Sequence, residues 1–259
     1  MLLLNEIKRI VTRWNFIASI LFVLAIQAFG FWQYIKSFSG SISHSNANEA
    51  VFYTYFATQL FLPLSIGLLV GDTVAYDRSS GMIRLLLFRI SRPKYVWYKA
   101  VSAGVISFLT TFFSLSLSGI LICIFLPHVE SASNASPYTS SAVHFLPGLF
   151  WNNIYEYTIL SSGYTSFCAV FMGTLSVFVG AIQRNTLIAV AFPWFVYIGL
   201  SVIGISIGIG QIAPLAWSTV VEYSPAIQGS PWVPPLVWTI ASVIIAVVAG
   251  NYIRRDIVD

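Results

Sequence analysis

Catalysis in this chain would have to come from three histidines, two cysteines and nine carboxylates. His44, His128 and His144 are scattered over polar segments, with no Asp or Glu at metal-ligand spacing. Cys123 and Cys168 each sit inside an apolar run, where a thiol acts as a small buried hydrophobe rather than half of a disulfide or metal pair. HExxH and GxSxG are absent, so the protease and esterase chemistries those motifs carry have no support. GxxxxGK[ST] is also missing, and the chain has no Gly-Lys dipeptide at all. It therefore holds no ATP by that route, and we expect neither a catalytic residue, a metal nor a cofactor on it. If ATP drives it, the nucleotide and its Mg belong to a partner.

The surroundings explain why chemistry is sparse. The 259 residues are 57% hydrophobic and 8% charged, with a mean hydropathy of +0.81; a soluble domain carries about 25% charged residues. Each bilayer crossing takes ~20 residues, and six apolar segments answer to that length: roughly 14–35, 54–76, 97–126, 157–182, 187–209 and 233–252. The reading is an all-α, polytopic protein forming a single transmembrane domain over 1–259. An ionisable group at the bilayer centre would mark an ion-coupled carrier, but none falls near the middle of a span. Asp72 lies by the inner end of the second, and Glu156 and Glu222 near the outer surface.

Basic residues set the orientation. Lys8, Arg9 and Arg13 precede the first span, and six bases lie between the second and third. Arg184 falls between the fourth and fifth, and Arg254 and Arg255 follow the sixth. The opposite loops hold only Lys36, so both termini are expected in the cytoplasm of a multi-pass protein of the cell membrane. Bases confined to membrane-proximal segments also argue against a nucleic-acid partner. Residues 2–13 have Leu3, Ile7, Ile10, Val11 and Trp14 at helical spacing, with Glu6, Lys8, Arg9 and Arg13 opposite. That pattern predicts an amphipathic helix lying in the cytoplasmic interface, bases toward the headgroups, and it sets topology at the same time.

Two segments remain that spans alone do not explain. Residues 77–99, DRSSGMIRLLLFRISRPKYVWYK, concentrate charge beside apolar residues. They predict a short helix from about Ser79 to Phe88, with Met82, Ile83, Leu86 and Leu87 on its apolar side. A break at Ser91-Arg92-Pro93 then leads into the third span. Residues 210–235 are apolar yet interrupted by Pro214, Pro225, Pro231, Pro234 and Pro235. Either a re-entrant pair of short helices or an interfacial loop held by Trp217 and Trp232 accommodates that pattern. The i,i+4 pairs Gly204/Gly208 and Ala246/Gly250 suggest close helix packing.

The first of these segments resembles one in the permease subunits of ABC-2 type exporters. That family typically carries E-R-E-S-G-T, an E-L-L-L-like run, P-[IV]-S-R and a G-K leading into the third span. Here the matching residues are Asp77, Arg78, Ser80, Gly81, Leu85 to Leu87, Ser91, Arg92 and Lys99, with departures at Ser79, Met82, Arg89 and Tyr98. The resemblance extends to the layout of an amphipathic N-terminal helix, six spans and an inner loop after the second. It implies a cytoplasmic coupling helix between helices 2 and 3 that docks on a separate ABC ATPase subunit. Asp77, Arg78, Ser80, Gly81, Met82, Arg84, Leu86, Leu87 and Arg92 would form that contact. It further implies a second permease subunit, identical or related, and an outer gate between helices 5 and 6 involving Pro214, Trp217, Glu222 and Pro225. An apolar, aromatic interior then suits an amphiphilic substrate: an antimicrobial or cytolytic peptide, a drug or a lipid-like molecule. A secondary transporter or channel, or a membrane scaffold without transport, is the alternative.

Overall fold

The computed structural model describes residues 2–36, 46–83, 86, 90–128, 146–183, 185–207 and 233–256. Among them every regular element is helical: α1 (Leu2–Val11), α2 (Trp14–Tyr34), α3 (Ala47–Val70), α4 (Asp72–Ser79), α5 (Arg92–Phe125), α6 (Pro147–Asn152), α7 (Ile154–Ile182), α8 (Thr186–Ser206) and α9 (Val233–Asp256). Among the described residues five segments are long and apolar enough to cross a membrane: Trp14–Tyr34, Ala47–Ser79, Lys94–Phe125, Ile154–Ile182 and Thr186–Gly204. Within α9 the apolar stretch is shorter, Pro235–Asn251. The chain has the build of a helical membrane protein.

Burial sorts these helices into a centre and a rim. In their most apolar windows α7 is 72% buried and α3–α4 67%, whereas α2, α5 and α8 fall to a third or less. α7 is the hub, packing against α3, α4, α5, α8 and α9. The apolar side chains of α2 and α8 that face outward, such as Leu21, Phe29, Phe195 and Leu200, are the ones a lipid environment would cover. Trp14 and Trp32, at the two ends of α2, are both exposed, as interfacial aromatics are.

The second span is longer than its hydropathy suggests. Residues 47–53 were expected in an outer loop, yet α3 starts at Ala47. Asn46 caps it, its side chain accepting from the Glu49 N–H at 2.9 Å, and α7 opens the same way, with Asn153 accepting from the Glu156 N–H. Tyr34 donates to Glu49, and Asn48 donates to the Phe150 carbonyl while facing His128. These bonds seat polar residues inside a helix where composition alone reads as loop.

Close packing occurs at glycines other than those the sequence suggested. A methyl group at Gly67 would collide with the Val190 carbonyl of α8, and one at Gly71 with the carbonyls of Gly67 and Ala189. Gly250, by contrast, has open space where its side chain would be, and Gly208 lies outside the described residues. The α3–α8 seam, where backbone meets backbone, is therefore a tight contact of the small-residue kind.

Candidate functional site

At the basic end of the bundle, α1, α4 and α5 converge on a cluster of alternating charges. Asp77 is fully buried in the last turn of α4. Its carboxylate accepts from Arg9 of α1 at 2.8 Å and from the Tyr95 hydroxyl of α5 at 2.7 Å, and pairs with Lys99 of α5 at 2.8 Å. Lys99, itself only 3% exposed, also donates to Glu6 at 2.7 Å, and Glu6 pairs with Arg9 one turn along at 2.9 Å. Glu6 and Asp77 thus balance Arg9 and Lys99. A second pair, Arg13 to Asp72 at 3.1 Å, is joined by the Asn15 amide. Burial opposes the charge on Arg9, but the hydrogen bond it donates to Asp77 and the charges of Asp77 and Glu6 outweigh it and hold the guanidinium above its ordinary pKa.

The cluster revises the reading of α1. Lys8, Arg9 and Arg13 were expected to face headgroups. Instead Arg9 and Arg13 turn to carboxylates of α4, while Lys8 alone of the three bases is exposed. Ile10 is buried in the inner core with Leu69, Val70 and Tyr95, and Ile7 packs against it. α1 is therefore fastened by both an apolar anchor and charge pairs.

Beyond Asp77 the residues expected to meet a partner separate into two groups. Arg78, half-buried, donates to the Ala181 carbonyl in the last turn of α7, where a cation also meets the negative end of the helix dipole. Ser79, Ser80, Gly81 and Met82 are exposed. α4 runs through Ser79, so the expected short helix does not begin there. Gly81 adopts φ +73°, a left-handed conformation that ends the helix, with its N–H bonded to the Arg78 carbonyl. Helical backbone resumes at Met82 and Ile83. Ile83 is buried and Leu86 half-buried against the inner core, so the apolar side of this segment faces inward and Met82 stays outside. Ser91 is extended, and α5 starts at Arg92 with Pro93 in its first turn. Arg84 and Leu87 lie outside the described residues, as does the Arg92 side chain; so do Pro214, Trp217, Glu222 and Pro225 of the expected outer gate.

What the sequence did not suggest is the partner set of Asp77. Glu6, Arg9 and Tyr95 carry no local signature of the role, because their pairing spans 18 to 93 residues of chain. The one available hint was Glu6 and Arg9 at i,i+3 on a helix otherwise expected to present cations. Among the described residues no group of histidines, cysteines and carboxylates could hold a metal. Chemically the arrangement is a neutral clamp that fixes the ends of three helices and leaves an exposed tip beside them.

No protein-family model matches the chain, and no curated protein matches it either.

Proposed function

We propose that the chain is the transmembrane subunit of an ABC-2 type exporter, moving an amphiphilic substrate out of the cell on ATP hydrolysed by a separate ATPase subunit. In this reading α9 completes six spans and both termini are cytoplasmic. Two permease subunits, identical or related, form the path, and the segment after α4 is the coupling element. The observation that carries it is the mounting of the exposed Ser79–Met82 tip. It hangs from an α4 turn bound through Asp77 to α1 and α5 and through Arg78 to α7. A push on that tip reaches three helices through short, directional bonds, not through a loose loop. Asp77 and Arg78 then transmit, and Ser80, Gly81 and Met82 make contact.

Co-purification tests the reading. Extraction of the chain from its native host in mild detergent should bring down an ATPase bearing a phosphate-binding loop. Met82→Glu and Arg84→Glu should each abolish substrate stimulation of that ATPase while the complex stays folded. A preparation with no such partner, or stimulation unchanged in both variants, would count against it.

A further inference from the structure

A long apolar groove opens on the side of the bundle between α5, α7 and α9. Its volume is about 360 Å³. One wall follows α5 from Trp97 through Val101 and Val105 to Leu109, and those four side chains are partly exposed at its mouth. The floor is Gly104, Val170 and Thr174, and the far wall is Thr239, Ser242 and Ala246 of α9. The wall hydroxyls of Thr239 and Ser242 donate to carbonyls of their own helix, Pro235 and Trp238, so they present little polarity to the groove.

Length, shape and charge together say what fits. From Trp97 to Leu109 the groove runs about 18 Å at the helical rise of 1.5 Å per residue. One leaflet of hydrocarbon is roughly 15 Å, half the thickness of the bilayer core. The groove thus starts at the aromatic rim of the basic end and stops near the bilayer middle. At its rim the exposed Lys94 stands one turn beyond Trp97 on the same side of α5. No acidic residue lines it.

We propose that this groove is a binding site for one anionic phospholipid of the leaflet at the basic end. An acyl chain lies along α5, and the phosphate meets Lys94 at the Trp97 rim. An acyl chain gains nothing by apolar transfer from the bilayer into an equally apolar groove. Preference therefore rests on the headgroup, and Lys94 is its carrier. The site depends on the chain crossing a membrane and not on the exporter reading, so it stands or falls separately.

The test is quenching of Trp97 in nanodiscs of phosphatidylcholine holding the full chain and a minority of chain-brominated lipid. The Trp97 signal is the difference between the native protein and Trp97→Phe. Brominated phosphatidylglycerol should associate about fivefold more strongly than brominated phosphatidylcholine, the factor that one basic side chain near an anionic headgroup supplies. Lys94→Glu, a surface change, should erase that preference, and Val105→Phe, which fills the groove, should reduce quenching by both lipids. Equal quenching by the two lipids would overturn the proposal, as would a preference that survives Lys94→Glu. Absence of quenching by either lipid, the result if a second copy of the chain sealed the groove, would overturn it too.

Discussion

Lys99 of α5 reaches Asp77 of α4 at 2.8 Å with both side chains removed from solvent, 3% and 0% exposed. An ion pair in such a place is costly to form and more costly to break, because a lone buried charge has nothing to offset its lost hydration. Arg9 and Glu6 complete the balance at two carboxylates and two cations. Asp77→Asn should therefore destabilise by about 3–5 kcal/mol, the usual loss when one member of a buried pair is removed. The double variant Asp77→Asn/Lys99→Met leaves Arg9 with Glu6 and should lose much less than the sum of the singles. Thermal unfolding in detergent of the four proteins gives the coupling; strictly additive losses would show the charges to be independent.

The tip of the candidate coupling segment makes a different kind of claim. At Gly81 φ is +73° and a side chain would meet open space, so backbone strain is the only penalty a substitution brings. Gly81→Ala should cost about 1–2 kcal/mol, the price of a left-handed residue with a Cβ. Gly81→Asn should cost less, since its short amide tolerates that conformation. The same unfolding measurement decides between them, and equal effects would place the origin elsewhere than in φ.

Spans were legible because the hydrophobic signal is long and uniform. α2, α7 and α8 begin and end within a few residues of the segments read from hydropathy. The errors fall where polar residues enter helices. Glu49 and Asn48 look like loop, yet they sit inside α3, bonded to Asn46, Tyr34, Phe150 and His128. The pattern Asn-x-x-Glu at 46–49 and again at 153–156 was the available start signal. Asp77 was legible as a notable residue but not as a buried one, because the groups that enclose its carboxylate lie far along the chain, Arg9 at a distance of 68 residues. The Gly67 contact was hidden for the same reason: it matters because of where α8 passes, and no local pattern encodes that.

That seam yields a contrast within one residue type. A Cβ at Gly67 would strike the Val190 carbonyl, a backbone atom that cannot rotate aside, whereas a Cβ at Gly199 of α8 meets nothing. Gly67→Ala should lose about 1–3 kcal/mol through overpacking. Gly199→Ala should be neutral or stabilise by up to about 1 kcal/mol through helix propensity. Resistance to unfolding of the two variants, measured side by side, checks the seam; matching values would place α3 and α8 further apart.

In the half of the bundle away from the charge cluster Tyr55 ties three helices with one hydroxyl. It bonds Ser162 Oγ at 2.7 Å and lies within reach of the Leu115 and Thr158 carbonyls at 3.3 and 3.2 Å. Hydrogen bonds between membrane helices average about 0.6 kcal/mol and reach roughly 1.7. Tyr55→Phe keeps the ring and should fall in that range, since the Ser162 hydroxyl keeps its own bond to the Thr158 carbonyl at 2.6 Å. Ser162→Ala in the Tyr55→Phe background should then add little, and a full second loss would separate the two groups.

Orientation is the expectation on which the cytoplasmic assignment of the tip depends, and two exposed lysines test it. Lys36, stacked at 5.2 Å on Trp32, closes the first span at one end of the bundle, and Lys94 opens α5 at the other. Cys123 and Cys168 are both buried, so native thiols contribute little background to labelling. In intact cells a membrane-impermeant maleimide should modify Lys36→Cys and leave Lys94→Cys untouched. Lysis should expose Lys94→Cys to full modification, the result demanded by an excess of basic residues on the inner side. The reverse pattern would put the charge cluster and the Ser79–Met82 tip outside the cell, where no ATPase could reach them.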